Sequence, residues 1–204
     1  MPEDLLILLA RALGIAGVMV LSASAVLGVF LASRTAQRLR LLRGRTFHIH
    51  RLLCISGAGL LLVHPIPVVL VRETTGLSLA AVFVPFAAEK LAFNIAFGAL
   101  ALDILLIVLA SSLLIKHLPR KVWRRLHYGA YAVLSLGLYH GLLIPNDFGP
   151  AARYSTVDPL ASDKVLVEVS IVGVLLASVW RITAAVHRRA APRRERSRTK
   201  DSGV

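Results

Sequence analysis

The sequence predicts an all-α protein, a polytopic transmembrane helical bundle of about five spans. Three observations predict it. The 204 residues are 56% hydrophobic with a mean hydropathy of +0.71, more apolar than a soluble core of this size needs. Apolar runs near 20 residues recur along the chain, the length that crosses a hydrocarbon core of about 30 Å as a helix. The runs are continuous rather than alternating, so helices are the structures that pair their backbone groups in lipid.

The first span covers 12–33; an earlier start, at Leu5, would oblige Arg11 to snorkel to the interface. The second covers 47–71, the third 91–115, the fourth 123–144 and the fifth 165–186. Between the second and third, Leu77–Ala88 is apolar but only 12 residues long and is interrupted by Pro85. It is read as a re-entrant or interfacial segment. Residues 1–186 form the membrane domain. Residues 187–204 (HRRAAPRRERSRTKDSGV) form a basic cytosolic tail, expected to be disordered in isolation and suited to docking an acidic partner.

Charge sets the orientation. The segments 34–51, 116–125 and 181–204 carry 6, 5 and 8 Lys/Arg, which is 19 of 24, with only Glu195 and Asp201 among them as acids. Eight of the 11 acids, Glu3, Asp4, Glu73, Glu89, Asp147, Asp158, Asp163 and Glu168, fall on the other side. The positive-inside rule predicts a multi-pass cell-membrane protein with its N-terminus outside and its C-terminus cytoplasmic. The start, Met-Pro-Glu-Asp, is acidic where a signal peptide is basic. The net charge of +13 is thus an orientation signal with some attraction to membrane lipid, and does not point to nucleic acid.

The single cysteine, Cys54, lies in an apolar run and reads as a packing residue, which excludes a disulfide framework and a thiolate cluster. No G-x-G-x-x-G fingerprint or phosphate-binding loop occurs, so the sequence encodes no nicotinamide or flavin domain of its own.

Four histidines stand out. His50 and His64 are separated by 14 residues, and His127 and His140 by 13, or roughly 21 and 20 Å along a helix. Both helices run from inside to outside, so His50 pairs with His127 near the inner face and His64 with His140 near the outer. Ionisable groups at such depth are costly and usually functional. Two facing pairs of neutral imidazoles suit two hexacoordinate b-type haems, with the four histidines as axial ligands of the haem iron. Helical phase supports the first helix, since 14 residues return to within about 40° of the starting face. Thirteen residues miss by about 140°, so the second helix needs a tilt, a kink or π-bulge near Gly129 or Gly137, or haems rotated relative to each other. Ser56, Gly57, Ala58 and Gly59, with Ser135 and Gly137, allow a flat macrocycle to approach the backbone; ordinary helix packing is the competing explanation.

Arg51, Arg124 and Arg125 lie within a turn of the inner histidines and are candidates to pair with haem propionates; Arg72 and Arg153 are the outer candidates. Topology-setting charge explains all five equally. His48, His117 and His187 read as interfacial solvated residues, and His48-x-His50 alone is poor support for a metal site. Asp103, in the middle of the third span, reads as a proton relay or as a hydrogen-bonded structural group.

The pattern G-R-T-F-H-I-H-R-L-L followed by His64, and W-R-R-L-H-Y followed by His140, resembles the ferric reductase-like transmembrane domain superfamily. That superfamily includes ferric reductases, the membrane part of NADPH oxidases and the haem-binding subunit of a methionine sulfoxide reductase system. The resemblance covers roughly 12–186, and its most specific elements are Trp123-x-x-x-His127 and the two histidine spacings. It implies that His50, His64, His127 and His140 are axial ligands. The family commonly has six spans, and its oxidases continue into a flavin and NAD(P)H domain that this sequence does not contain. The sulfoxide reductase subunit is close in length but typically lacks a histidine at the position of His50.

These observations predict transmembrane electron transfer through two haems, in an oxidoreductase membrane component of ferric reductase-like type. The donor is expected to be a cytosolic flavoprotein reductase supplying FMN or FAD, or a quinol; the acceptor is ferric iron, oxygen or a partner's cofactor. One alternative is a haem-binding membrane anchor feeding an extracytoplasmic reductase, as in the methionine sulfoxide reductase system. Another is a haem-free proton or metal transporter working through the histidines and Asp103.

Overall fold

The computed structural model describes residues 3–32, 40–144 and 162–201, and within them the chain is helical without a strand. Nine helices follow one another among the described residues: α1 (Glu3–Leu31), α2 (Arg40–Val63), α3 (Pro65–Leu70), α4 (Arg72–Thr75), α5 (Leu79–Phe83), α6 (Ala92–Leu113), α7 (Arg120–His127), α8 (Gly129–Leu143) and α9 (Ser162–Asp201). Arg153, Asp147 and Asp158 lie outside the described residues.

Four stretches are long and apolar enough to cross a bilayer: Glu3–Leu31, Gly44–Leu70, Ala92–Leu113 and Val165–Ala184. Their outward faces carry exposed Leu8, Leu52, Leu106 and Leu176, an apolar sheath that water does not tolerate over such an area and lipid does. This is the build of a multi-pass membrane protein.

The helices differ from the sequence expectation in three places. First, α1 begins at Glu3, with Glu3 and Asp4 in its first turn, where carboxylates complement the helix dipole. Arg11 therefore sits inside the helix. Second, the expected span 123–144 is two helices that meet at Tyr128, and neither piece alone has spanning length. No proline marks the break. Tyr128 keeps helical angles, but the Tyr131 N–H bonds back only three residues, to the Tyr128 carbonyl (3.1 Å), which tightens the turn. Third, α9 runs past residue 186, the expected end of the fifth span, as far as Asp201. Its Ala and Arg residues are strong helix formers.

The segment between the second and third spans is short-range structure folded onto the bundle. Pro65 cannot donate to the preceding turn, so α2 yields to α3 at His64. Gly76, with φ +71°, closes α4 by donating its N–H to the Arg72 carbonyl (2.7 Å). Ser78 caps α5 by accepting from the Ala81 N–H. Leu77, Ala81, Val82 and Ala88 then bury themselves with Ala58, Leu102, Leu105 and Val133 in one apolar cluster. The 77–88 segment thus contributes to the core and does not span.

The most extensive packing is between α1 and α2, followed by α6 with α8 and α1 with α9. The α1–α2 seam is antiparallel and steps by three and four residues on both helices. Gly14 meets His64, Gly17 meets Leu61, Leu21 meets Gly57, Ser24 meets Cys54 and Gly28 meets His50. That alternation is the heptad spacing of a coiled-coil seam. Because two heptads are 14 residues, His50 and His64 occupy the same position relative to α1.

Gly57 is filled by packing. A Cβ there would lie 2.8 Å from Leu21 Cγ and 3.2 Å from the Leu21 backbone nitrogen, whereas a Cβ at Gly59 meets nothing. Gly57→Ala is expected to destabilise the protein by about 1–3 kcal/mol through overpacking. Gly59→Ala is expected to be neutral or to stabilise by up to about 1 kcal/mol through helix propensity. Thermal unfolding of the two variants in detergent checks the contrast.

Candidate functional site

The structure brings the four histidines together in the two pairs that the spacing suggested. The rings of His50 and His127 have centroids 6.4 Å apart with planes at 79°. Those of His64 and His140 are 6.3 Å apart at 77°. Edge-to-face rings in direct contact have centroids about 4.5–7 Å apart, a range that includes these two pairs. A metal held by one imidazole nitrogen on each side, with bonds of about 2.0 Å, places the ring centres about 6 Å apart.

Three of the four rings are held by the same device. His64 Nδ1 lies 2.7 Å from the Ala10 carbonyl oxygen, and Gly14 follows four residues later. His50 Nδ1 lies 2.9 Å from the Ser24 carbonyl, with Gly28 four residues on. His140 Nδ1 lies 2.8 Å from the Asn94 carbonyl, with Gly98 four residues on. A helical side chain leans toward the preceding turn and covers the carbonyl there. Glycine uncovers it, and the carbonyl's second lone pair receives the ring. A Cβ at Gly14 or Gly98 would come within 2.9 Å of the ring, and one at Gly28 within 3.1 Å. A carbonyl only accepts, so Nδ1 carries the proton in all three, which leaves the acceptor lone pair on Nε2.

His127 departs from this. Its ring stacks on Trp123 at 5.0 Å and 19°, and both His127 Nδ1 and Trp123 Nε1 are buried without a hydrogen-bond partner among the described residues. Register accounts for it. Thirteen residues separate His140 from His127, and thirteen residues turn an ideal helix about 140° off the starting face, so the two rings do not meet α6 in the same way. The break at Tyr128 turns His127 toward His50 nonetheless.

The surroundings of the two pairs also differ. His64 and His140 face a cavity enclosing about 1490 Å³ of non-atom space, open solvent at its mouth included. Its wall is apolar, with Gly14, Gly98 and Gly137 among the lining residues and Arg11, Thr75 and the two histidines as its polar side chains. At the other pair, the Ser24 hydroxyl lies 3.0 Å from His50 Nδ1 and 2.9 Å from Cys54 Sγ, and that sulfur lies 3.7 Å from His50 Nε2. Cys54 therefore touches the His50 ring as well as filling space.

The remaining sequence candidates scatter. Arg51, Arg124 and Arg125 are exposed beside the His50/His127 pair. Arg72 lies off the cavity wall, in an exposed pair with Glu89 at 3.9 Å. Asp103 is half-buried on α6 between the levels of the two glycine-facing positions and makes no hydrogen bond or ion pair with the other described residues. His48 and His117 are exposed; the side chain of His187 lies outside the described residues. Among the described residues, no three His, Cys, Asp or Glu side chains converge on one metal position.

Ala10, Ser24 and Asn94 were not singled out by the sequence, because they act through backbone carbonyls. Gly14 and Gly28 carried a signal: their separation of 14 equals that of His50 and His64. In comparisons with protein-family models, curated proteins and solved structures, nothing matches this chain.

The geometry predicts the ring tautomers. In ¹⁵N NMR spectra of the ligand-free chain, His50, His64 and His140 are expected as Nδ1–H tautomers that Gly98→Ala disturbs at His140 alone. An Nε2–H form at His50, His64 or His140 in the parent chain contradicts the cradle.

Proposed function

We propose that the chain carries electrons across the membrane through two b-type haems, one held by His50 and His127 and the other by His64 and His140. The observation that supports this most is the paired ring geometry, with three of the four imidazoles locked by a backbone carbonyl in the tautomer a metal ligand needs. The residues present fit the group: the ring spacing leaves room for one metal, and the glycines at the cavity wall admit a flat macrocycle. Each haem, when bound, supplies an iron that takes up and releases one electron, with no coordination position left for substrate.

The chain's own residues do the rest. The carbonyls of Ala10, Ser24 and Asn94 orient their rings and raise ligand basicity. Leu21, Leu61, Leu102, Leu105 and Leu134 line the His64/His140 cavity and would surround a macrocycle bound there with apolar side chains. Arg51, Arg124 and Arg125 place positive charge at the end of the His50/His127 pair, where carboxylate groups of the inner haem would be neutralised. The positive-inside rule puts that end in the cytoplasm, as the side that receives electrons from a flavoprotein or quinol. The His64/His140 pair then delivers them to ferric iron, oxygen or a partner protein. The ferric reductase-like resemblance supports the same assignment.

A second reading is favoured by the inequality of the pairs. Among the described residues, His64 and His140 are the pair with both rings anchored by carbonyls, and they line a cavity. A chain holding one haem there would serve as a membrane anchor that feeds an extracytoplasmic reductase.

A pyridine haemochromogen assay on the purified chain separates these readings. Two b haems per polypeptide are expected, and His64→Ala is expected to remove one and leave the other reducible. One haem in the parent chain favours the anchor. No haem, after haem-supplemented expression, overturns both and returns the histidines to proton or metal transport.

A further inference from the structure

We infer that the outward face of α6 docks a second copy of this chain, with Asp103 of each copy hydrogen-bonded to its counterpart in the middle of the membrane. The inference stands on α6 and does not depend on the haem reading.

Asp103 is eleven residues from the start of α6 and ten from its end, about 15 Å from either. Its side chain is too short to snorkel to an interface as Lys and Arg do. Glu3, Asp4 and Glu168, the other acids of the spanning stretches, lie in the first turns of theirs. Asp103 makes no hydrogen bond or ion pair with the other described residues, and it is partly exposed. Hydrocarbon offers a carboxyl group no partner, and ionisable groups at such depth are retained where another group meets them.

The residues around it form a seam. Leu100, Ile107 and Leu114 recur every seven residues, with Asp103 and Ala110 between them at steps of three and four. Leu100, Ile107 and Leu114 are 41%, 53% and 52% exposed, and Ala110 is exposed beside them. Ala96, one heptad before Asp103, is buried, so the open seam begins at Leu100. This is the a/d spacing with which one helix meets an equivalent helix, and it runs for two heptads. Lipid satisfies the aliphatic positions of such a face. It does not satisfy the carboxyl, which therefore decides for a protein occupant.

Two properties of the seam select a second copy. Copies inserted in one orientation are related by a two-fold axis along the bilayer normal, which sets their α6 helices parallel and each seam position against its counterpart at equal depth. A carboxyl group is also self-complementary, since its O–H donates and its C=O accepts, and two facing acids close a pair of hydrogen bonds. Ala110, the small residue of the seam, lets the two backbones approach. A single polar residue among apolar ones then fixes the register of the pair.

Dimerisation of the full chain in phosphatidylcholine bilayers is followed by energy transfer between labelled copies across a range of protein-to-lipid ratios. The parent chain is expected to dimerise, and Asp103→Leu to weaken the dimer about tenfold. Asp103→Asn, whose carboxamide also donates and accepts, is expected to keep most of the affinity. In a Cys54→Ser background, Ala110→Cys is expected to form a disulfide between copies under mild oxidation, whereas Leu176→Cys on the exposed face of α9 is not. The cross-linking variant keeps Asp103, so it tests the interface independently of any effect of Asp103→Leu on folding. A parent chain that stays monomeric at every ratio overturns the inference. So does a dimer that Asp103→Leu leaves equally tight, or an Ala110→Cys chain that cross-links no better than Leu176→Cys. Recovery of the chain bound through Asp103 to a different membrane protein, with Lys or Arg at that depth, overturns the choice of a second copy.

Discussion

The contact between an imidazole N–H and a helix carbonyl uncovered by glycine determines where three of the four paired histidine rings sit. In an apolar bundle a histidine ring without a partner is costly, and a rotamer-free ring cannot present a nitrogen to anything reliably. The carbonyl of Ala10, Ser24 or Asn94 meets both needs, since it pairs the buried N–H and fixes the ring's direction. The condition is close approach of two helices. Gly14 and Gly28 provide it on α1, and Gly98 on α6.

Register then decides how many times the contact can be made. On α1 and α2 the seam repeats every seven residues, and a separation of 14 reproduces the contact at both ends. On α6 and α8 the separation is 13, which a continuous helix cannot reconcile with two rings on one face. The chain answers with a break at Tyr128, which recovers the pairing of His127 with His50 but not the carbonyl. Trp123 covers the exposed side of that ring instead. The two levels of the bundle are consequently unequal, the one near Arg11 anchored on both sides and the one near Cys54 on one.

Much of this was legible in the chain. Hydropathy identified the helical membrane class, and histidine spacing with charge asymmetry was sufficient to pair His50 with His127 and His64 with His140. The 140° phase error correctly flagged the second histidine helix as irregular, although only the structure chose the break beside Gly129 over the one at Gly137. What stayed hidden depended on which helices touch. The equal separations of Gly14/Gly28 and His50/His64 have meaning only when α1 and α2 are known to run antiparallel in that register. Arg11 read as an obstacle to starting α1 early, because nothing local says that its helix face borders a cavity. Gly57, which the sequence suggested for a macrocycle, is occupied by Leu21 through the same seam.

Under the proposed function, each histidine pair would hold a single haem iron between rings whose planes lie at 79° and 77°. Low-temperature electron paramagnetic resonance of the oxidised, haem-loaded chain tests it most directly. Perpendicular imidazoles on ferric iron give a strongly anisotropic low-spin signal, and two such signals are predicted, with His64→Ala abolishing one. A rhombic low-spin spectrum of parallel rings, or a high-spin spectrum from iron with a single histidine, would contradict it.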